Sequence, residues 1–220
     1  MQPSSNTREW LRISSVRCTN EIAALAADDM EMKETGKVIL EIRQKCVSRM
    51  NGAVSEGMRS RGIVYRLNYG VSLPDLKEIA AGYQPDETLA SDLWRQDCRE
   101  CRMLAAMLYP SSLFLPDLAD EWIETIEYPD LAEVCCKFLF RNMPGASEAA
   151  FRWMASDSEI RQYCGFLTLA HLLRGKDEIG DRYAAELRDQ AEAAAASDSQ
   201  LLREGAAVLM GVYGQCYGRG

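Results

Sequence analysis

Residues 67–109 read LNYGVSLPDLKEIAAGYQPDETLASDLWRQDCRECRMLAAMLY, and this stretch states the building unit that later segments vary. After Gly70, the Leu73-Pro74-Asp75 start predicts a helix with proline in its first turn, where a missing N–H costs nothing. Leu73, Leu76, Ile79 and Ala80 give it one apolar stripe, and Gly82 marks its end. Pro85-Asp86-Glu87 opens a second helix with acidic residues at its positive end and an apolar face of Leu89, Ala90, Leu93 and Trp94. A third, almost wholly apolar helix carries Cys98, Cys101, Met103, Leu104, Ala105, Met107 and Leu108 and stops at Pro110. One amphipathic helix thus precedes one buried helix.

Downstream the same syntax returns. Leu115-Pro116-Asp117 repeats the Leu-Pro-Asp start, with Leu118, Trp122, Ile123 and Ile126 along one side, and Pro129-Asp130 opens its partner, 131–140. Phe151 to Met154, a break at Ser156-Asp157-Ser158 and an apolar helix over 160–173 follow, and a last pair spans 177–196 and 199–213. Trp94, Trp122 and Trp153 occupy matching places, 28 and then 31 residues apart. Such a period predicts stacked helix pairs, because one pair cannot cover its own apolar face. Irregular spacing favours HEAT-like repeats over the fixed tetratricopeptide period, so the expectation is an all-α protein, an α-solenoid with a concave groove, forming a single domain over 1–220.

Upstream, residues 7–28 and 31–47 carry helical rhythms, the second with Lys37, Arg43, Lys45 and Arg49 along it. Ile63-Val64-Tyr65 reads as helix or loop, since no second strand exists to pair with it. The chain has 220 residues, 47% hydrophobic and 26% charged, enough for a full core. No apolar run approaches the roughly 20 residues that span a bilayer. With a polar start and eight cysteines lacking framework spacing, the expected setting is the cytoplasm, with reduced thiols and no membrane contact. The formal charge of −8 repels nucleic acid overall, so DNA binding requires a local basic face.

The run Asn68 to Ala80, the Leu-Ala-x-x-Leu-Trp of 89–94, the Arg-Glu-Cys-Arg-x-Leu-Ala of 99–105 and the helix pairs after them resemble the DNA alkylation repair family of HEAT-like-repeat glycosylases. The resemblance implies a helical cradle for duplex DNA and, in active members, release of cationic alkylpurines. Chemistry of that kind needs a carboxylate to stabilise a sugar cation and place a water, aromatic faces beside the cation, and arginines on the phosphates. The family's Trp-Asp-x-x-Asp start falls on Pro129-Asp130-Leu131-Ala132-Glu133, making Glu133 the catalytic candidate, with Asp130 beside it and Pro129 where a tryptophan stands. Its phosphate-gripping arginine falls at Tyr163, two residues after Arg161, and its late tryptophan near Val208. Three of four groups are altered, so the resemblance implies a divergent member that keeps the scaffold, with excision disfavoured.

Arg43, Lys45, Arg49, Arg59 and Arg61, with Arg66, form the densest positive region and are the other DNA-contact candidates alongside Arg161, Tyr163 and Asp130; Arg95, Arg99 and Arg102 could extend it. Against it stand Glu121, Glu124, Glu127, Asp130 and Glu133. Cys98-x-x-Cys101 lacks a second pair and reads as buried thiols, His171 as a core or groove residue, and the repeated tryptophans as packing. No cofactor or metal is expected, and the chain is expected to be monomeric. The rival reading is a non-catalytic scaffold for a protein partner, favoured by the acidic charge.

Overall fold

The computed structural model describes residues 34–175 and 181–217. The expectations for 7–28, 177–180 and the last three residues lie outside them. Two compact units divide the chain, 1–44 and 45–220. In the first, the described residues are helical, and Lys37 bonds Glu34 one turn away at 3.0 Å. These residues belong to α1 (34–48), whose last turn opens the second unit.

The second unit continues with α2 (Gly52–Ser60), α3 (Leu73–Ala80), α4 (Glu87–Trp94), α5 (Arg99–Leu108), α6 (Pro116–Glu124), α7 (Pro129–Phe138), α8 (Ala146–Met154), α9 (Glu159–Arg174), α10 (Asp181–Ala195) and α11 (Gln200–Tyr217). No strand occurs among the described residues, and Ile63 to Tyr65 are loop. The starts follow local chemistry. Ser72 and Asp86 accept from the backbone N–H groups of Asp75 and Leu89, and Pro74, Pro116 and Pro129 sit in first turns that need no donor. Two boundaries differ from the sequence reading: α7 begins at Pro129 and gives way after Phe138 to a 3-10 turn over Phe140–Asn142, and α11 continues past residue 213 to Tyr217.

Helices α3, α5, α7, α9 and α11 pack successively into an inner row, while α4, α8 and α10 cover α5, α9 and α11 from outside. The Leu73 helix is therefore an inner helix and not the amphipathic partner that its position in the repeated sequence suggests. Trp94, Trp122 and Trp153 stand near the ends of the outer helices α4, α6 and α8 and are 7%, 5% and 0% exposed. The first two rings stack at 3.9 Å and 9°, and Phe114 and Phe140 carry the aromatic contact on to Trp153. The period in the sequence is thus a packing period.

Close approach of α8 and α9 rests on Gly165, where a Cβ would lie 2.7 Å from the Ala150 carbonyl oxygen and 2.8 Å from the Met154 nitrogen. Backbone cannot yield as a side-chain tip can, so Gly165→Ala is expected to lower stability by about 2 kcal/mol. Gly211→Ala in α11, where the added methyl meets nothing within 4 Å, should be neutral or raise it by up to about 1 kcal/mol through helix propensity. Urea unfolding of the two variants checks the contrast.

Candidate nucleic-acid interface

Leu73 of α3 and Val208 of α11 both line a single recess of about 340 Å³ with residues of α7 and α9. The first and last helices of the row can share a recess only if the row curves, so the groove is concave here. Leu73, Val134, Leu167 and Val208 form its apolar walls. Glu133 and Tyr163 stand at the polar centre, and Lys137, His171 and Arg174 complete the lining.

Glu133 sits one turn into α7 as an exposed residue of the recess lining, between the buried Ala132 and Val134. Its Oε1 accepts a hydrogen bond from the Tyr163 hydroxyl at 3.1 Å. Burial pushes the Glu133 carboxyl above its usual range, against the Tyr163 hydrogen bond, and the Asp130 charge adds to the rise. Burial and the same carboxylate hold the Tyr163 proton in place, so the phenol remains the donor. Tyr163 and the His171 imidazole are the two rings among the lining residues.

The positions that the resemblance assigns to the site, Glu133, Tyr163 and Val208, therefore surround one recess. Arg161 does not join them. Its guanidinium turns to the outer layer, where Nη1 bonds Asp120 Oδ1 at 2.9 Å and Nη2 reaches Glu124 Oε1 at 3.3 Å. Asp120 also accepts from Arg152 and from the Trp153 indole, both at 2.6 Å. Asp130 is taken up by a second network, receiving the Tyr65 hydroxyl at 2.8 Å and Arg99 Nε at 2.7 Å.

The early basic residues are engaged locally. Lys45 bonds the Tyr83 hydroxyl at 2.9 Å, and Arg49 stands 3.9 Å from Asp75 and 3.7 Å from Glu78. Arg59 pairs with Glu56 at 2.9 Å, and Arg61 donates to the Gly57 carbonyl at 3.0 Å. Arg43 belongs to the first unit. The suggested extension also disperses: Arg95 pairs with Asp92, Arg102 donates to the Thr125 carbonyl beneath the Trp94 ring, and Arg99 is buried between Asp130 and Glu100.

What sequence reasoning passed over is Lys137, Arg141 and Arg174. None of the three forms an ion pair among the described residues. Lys137 and Arg174 lie in the last turns of α7 and α9, and Arg141 reaches Gly175 just beyond α9. Helix C-termini carry partial negative charge, which lets cations gather there without carboxylates and keeps them available to an anion. The signal in the sequence was the recurrence of a basic residue in the last turn of an apolar helix.

His171 reports on this field. Burial first, and then the charges of Arg174, Arg141 and Lys137, push its pKa down to about 4. Between 6.5 and about 4 the unfolded chain binds a proton that the folded chain refuses, so stability falls on acidification across that window. As the single histidine of the sequence, His171 gives an imidazole NMR signal that needs no assignment. Its midpoint is expected near 4 in the free protein, and His171→Gln should flatten the acid side of the urea-midpoint profile.

Cys98, Cys101, Cys135 and Cys136 are buried in the core. No described helix is long and apolar enough to cross a membrane.

No curated protein matches this sequence. A solved structure described as a new family of proteins related to the HEAT-like repeat DNA glycosylases with affinity for branched DNA structures is similar, with a TM-score of 0.73 and 16% identity over 81% of this chain and 76% of that one. At that identity the likeness is one of fold, and it identifies the stacked pairs as HEAT-like repeats. Over residues 42–216 the sequence matches the family model for DNA alkylation repair enzymes, and the chain belongs to that family.

Proposed function

We propose that this chain binds duplex DNA through the concave side of its inner row, gripping the backbone with Lys137, Arg141 and Arg174, and that it does not excise alkylpurines efficiently. The observation that carries this reading is that Lys137 and Arg174 in the lining of the recess, with Arg141 near them, form no ion pair among the described residues. Phosphates are the anions that such a group suits, and the partial negative charge of the helix C-termini offsets only part of its self-repulsion. The affinity for branched DNA described for the related structure agrees with a DNA ligand.

Excision is disfavoured by the same field. A cationic alkylpurine would enter a recess lined by Lys137 and Arg174, and Pro129 and Val208 offer no aromatic face to attract it. Glu133 could supply a carboxylate, but its hydrogen bond to Tyr163 and its raised pKa reduce the charge available to a sugar cation. Arg49, Arg59 and Arg61, with Lys45 and Arg43, would serve at most as outlying phosphate contacts. The expected place of action is the cytoplasm.

Titrating a fluorescent duplex at several salt concentrations tests the binding. The expected result is a log-log slope of roughly 0.9 per phosphate held. No binding even at low salt overturns the proposal in favour of a protein-interaction scaffold, which the net charge of −8 favours. Release of 7-methylguanine from methylated DNA that disappears in Glu133→Gln overturns the claim of weak excision.

A further inference from the structure

Lys137, Arg141 and Arg174 are joined by a fourth nitrogenous side chain. His171 lines the recess together with Lys137 and Arg174, and it precedes Arg174 by one helical turn on the same face of α9. Its imidazole is half-buried, and neither ring nitrogen has a hydrogen-bonding partner among the described residues. A polar ring that borders a cavity and bonds nothing in the protein is open to a ligand.

The charges around the ring decide when it takes a proton. Lys137 comes from α7, Arg141 from the 3-10 turn after it and Arg174 from α9 itself. Glu133 of α7 directs its carboxylate to Tyr163, and Glu204 of α11 acts on that pair; neither acts on His171. At the His171 end, α11 brings the Cys216 thiol, which donates to the Leu173 carbonyl, and the Tyr213 ring, packed against the cluster that holds Leu173. Asp120 and Glu124 of α6 are taken by Arg161 at the opposite end of α9, and α8 adds no charge that acts on the ring. Burial first, and then three cations that no carboxylate among the described residues offsets, keep the free ring neutral down to about 4.

A phosphodiester set among these four groups reverses the balance. Its oxygens accept from the cations and from an imidazolium N–H, and its negative charge offsets the repulsion that kept the proton away. Phosphodiesters do not titrate near neutrality, so the protein gains the proton. By reciprocity, a site that takes up a proton with its ligand holds the ligand more tightly as protons become more abundant.

We propose that His171 is a fourth phosphate-binding group, neutral in the free protein and protonated in the DNA complex, so that binding takes up one proton and strengthens on acidification. This rests on the DNA-binding reading above and adds its regulation by pH.

Two measurements test it, each on a fluorescent or unlabelled duplex at one salt concentration. Affinity is expected to rise about tenfold from about pH 7.5 to about pH 5.5, the gain from a ring whose midpoint returns to its ordinary 6.5 on binding. His171→Gln is expected to hold one affinity across that interval, with circular dichroism confirming the fold at both ends. The imidazole NMR signal of the unaltered chain is expected to move its midpoint from about 4 to about 6.5 when duplex is saturating. A midpoint that duplex leaves in place overturns the inference. So does a rise in affinity that persists in His171→Gln, which assigns the proton to Glu133 instead. Either result leaves the DNA reading standing, while failure to bind duplex at both pH values removes the two readings together.

Discussion

The triple variant Lys137→Gln, Arg141→Gln, Arg174→Gln is expected to bind duplex DNA on the order of 100-fold more weakly than the parent chain. Each lost phosphate contact is worth about 1 kcal/mol net, and 1.4 kcal/mol is a decade in affinity. The slope of log affinity against log salt should flatten by about 3, one unit per cation. Stability should change little, since none of the three forms an ion pair among the described residues. Fluorescence polarisation at several ionic strengths separates this outcome from a general loss of fold. An unchanged slope would place the DNA, if bound at all, elsewhere than this edge of the groove.

The second large effect lies in the fold. Glu100→Ala is expected to cost about 3–5 kcal/mol, the usual consequence of stranding one side of a buried charge network. Glu100 is fully buried in the first turn of α5. Its carboxylate accepts from the backbone N–H groups of Tyr69 at 3.1 Å and Val71 at 3.3 Å, and from Arg99 Nη1 at 3.0 Å. Burial alone would weaken the Arg99 charge, but the hydrogen bond and charge of Asp130, with Glu100, raise its pKa.

The loop held this way contains Gly70, at φ +68°, where any Cβ would overlap the Asn51 carbonyl oxygen. Removing the Glu100 carboxylate leaves two backbone donors without their acceptor and takes from Arg99 one of its two carboxylate partners, Asp130 remaining. Glu100→Gln keeps one acceptor oxygen and should lose less. Urea denaturation of both variants measures the two costs.

The helical architecture was legible because its signals are local. Prolines in first turns, side chains that cap the next turn and tryptophans at a near-constant period all act within one repeat. Glu133 and Tyr163 could be named because they fall at the positions where the family has an aspartate and an arginine, and the packing of α7 on α9 brings them within 3.1 Å. Arg161 could not be oriented, since its partners Asp120 and Glu124 come from a helix roughly 40 residues earlier.

Lys137, Arg141 and Arg174 were hidden for the same reason. Scattered singly in the sequence, they meet only because α7 and α9 end at the same side of the groove. Glu100 drew no structural reading from the sequence, because only the folding of 69–71 over it makes this first-turn carboxylate part of the core.

The inner row also bears on where the molecule opens. In a linear stack each helix is held by its neighbours, and α11, beyond α9, has no successor among the described residues. Amide protons of α10 and α11 should therefore exchange with solvent sooner than those of α5 or α7, through excursions in which the terminal pair lifts away. Because Val208 rides on α11, each excursion widens the mouth of the recess, giving a long polymer a side entrance that threading from an end would not provide.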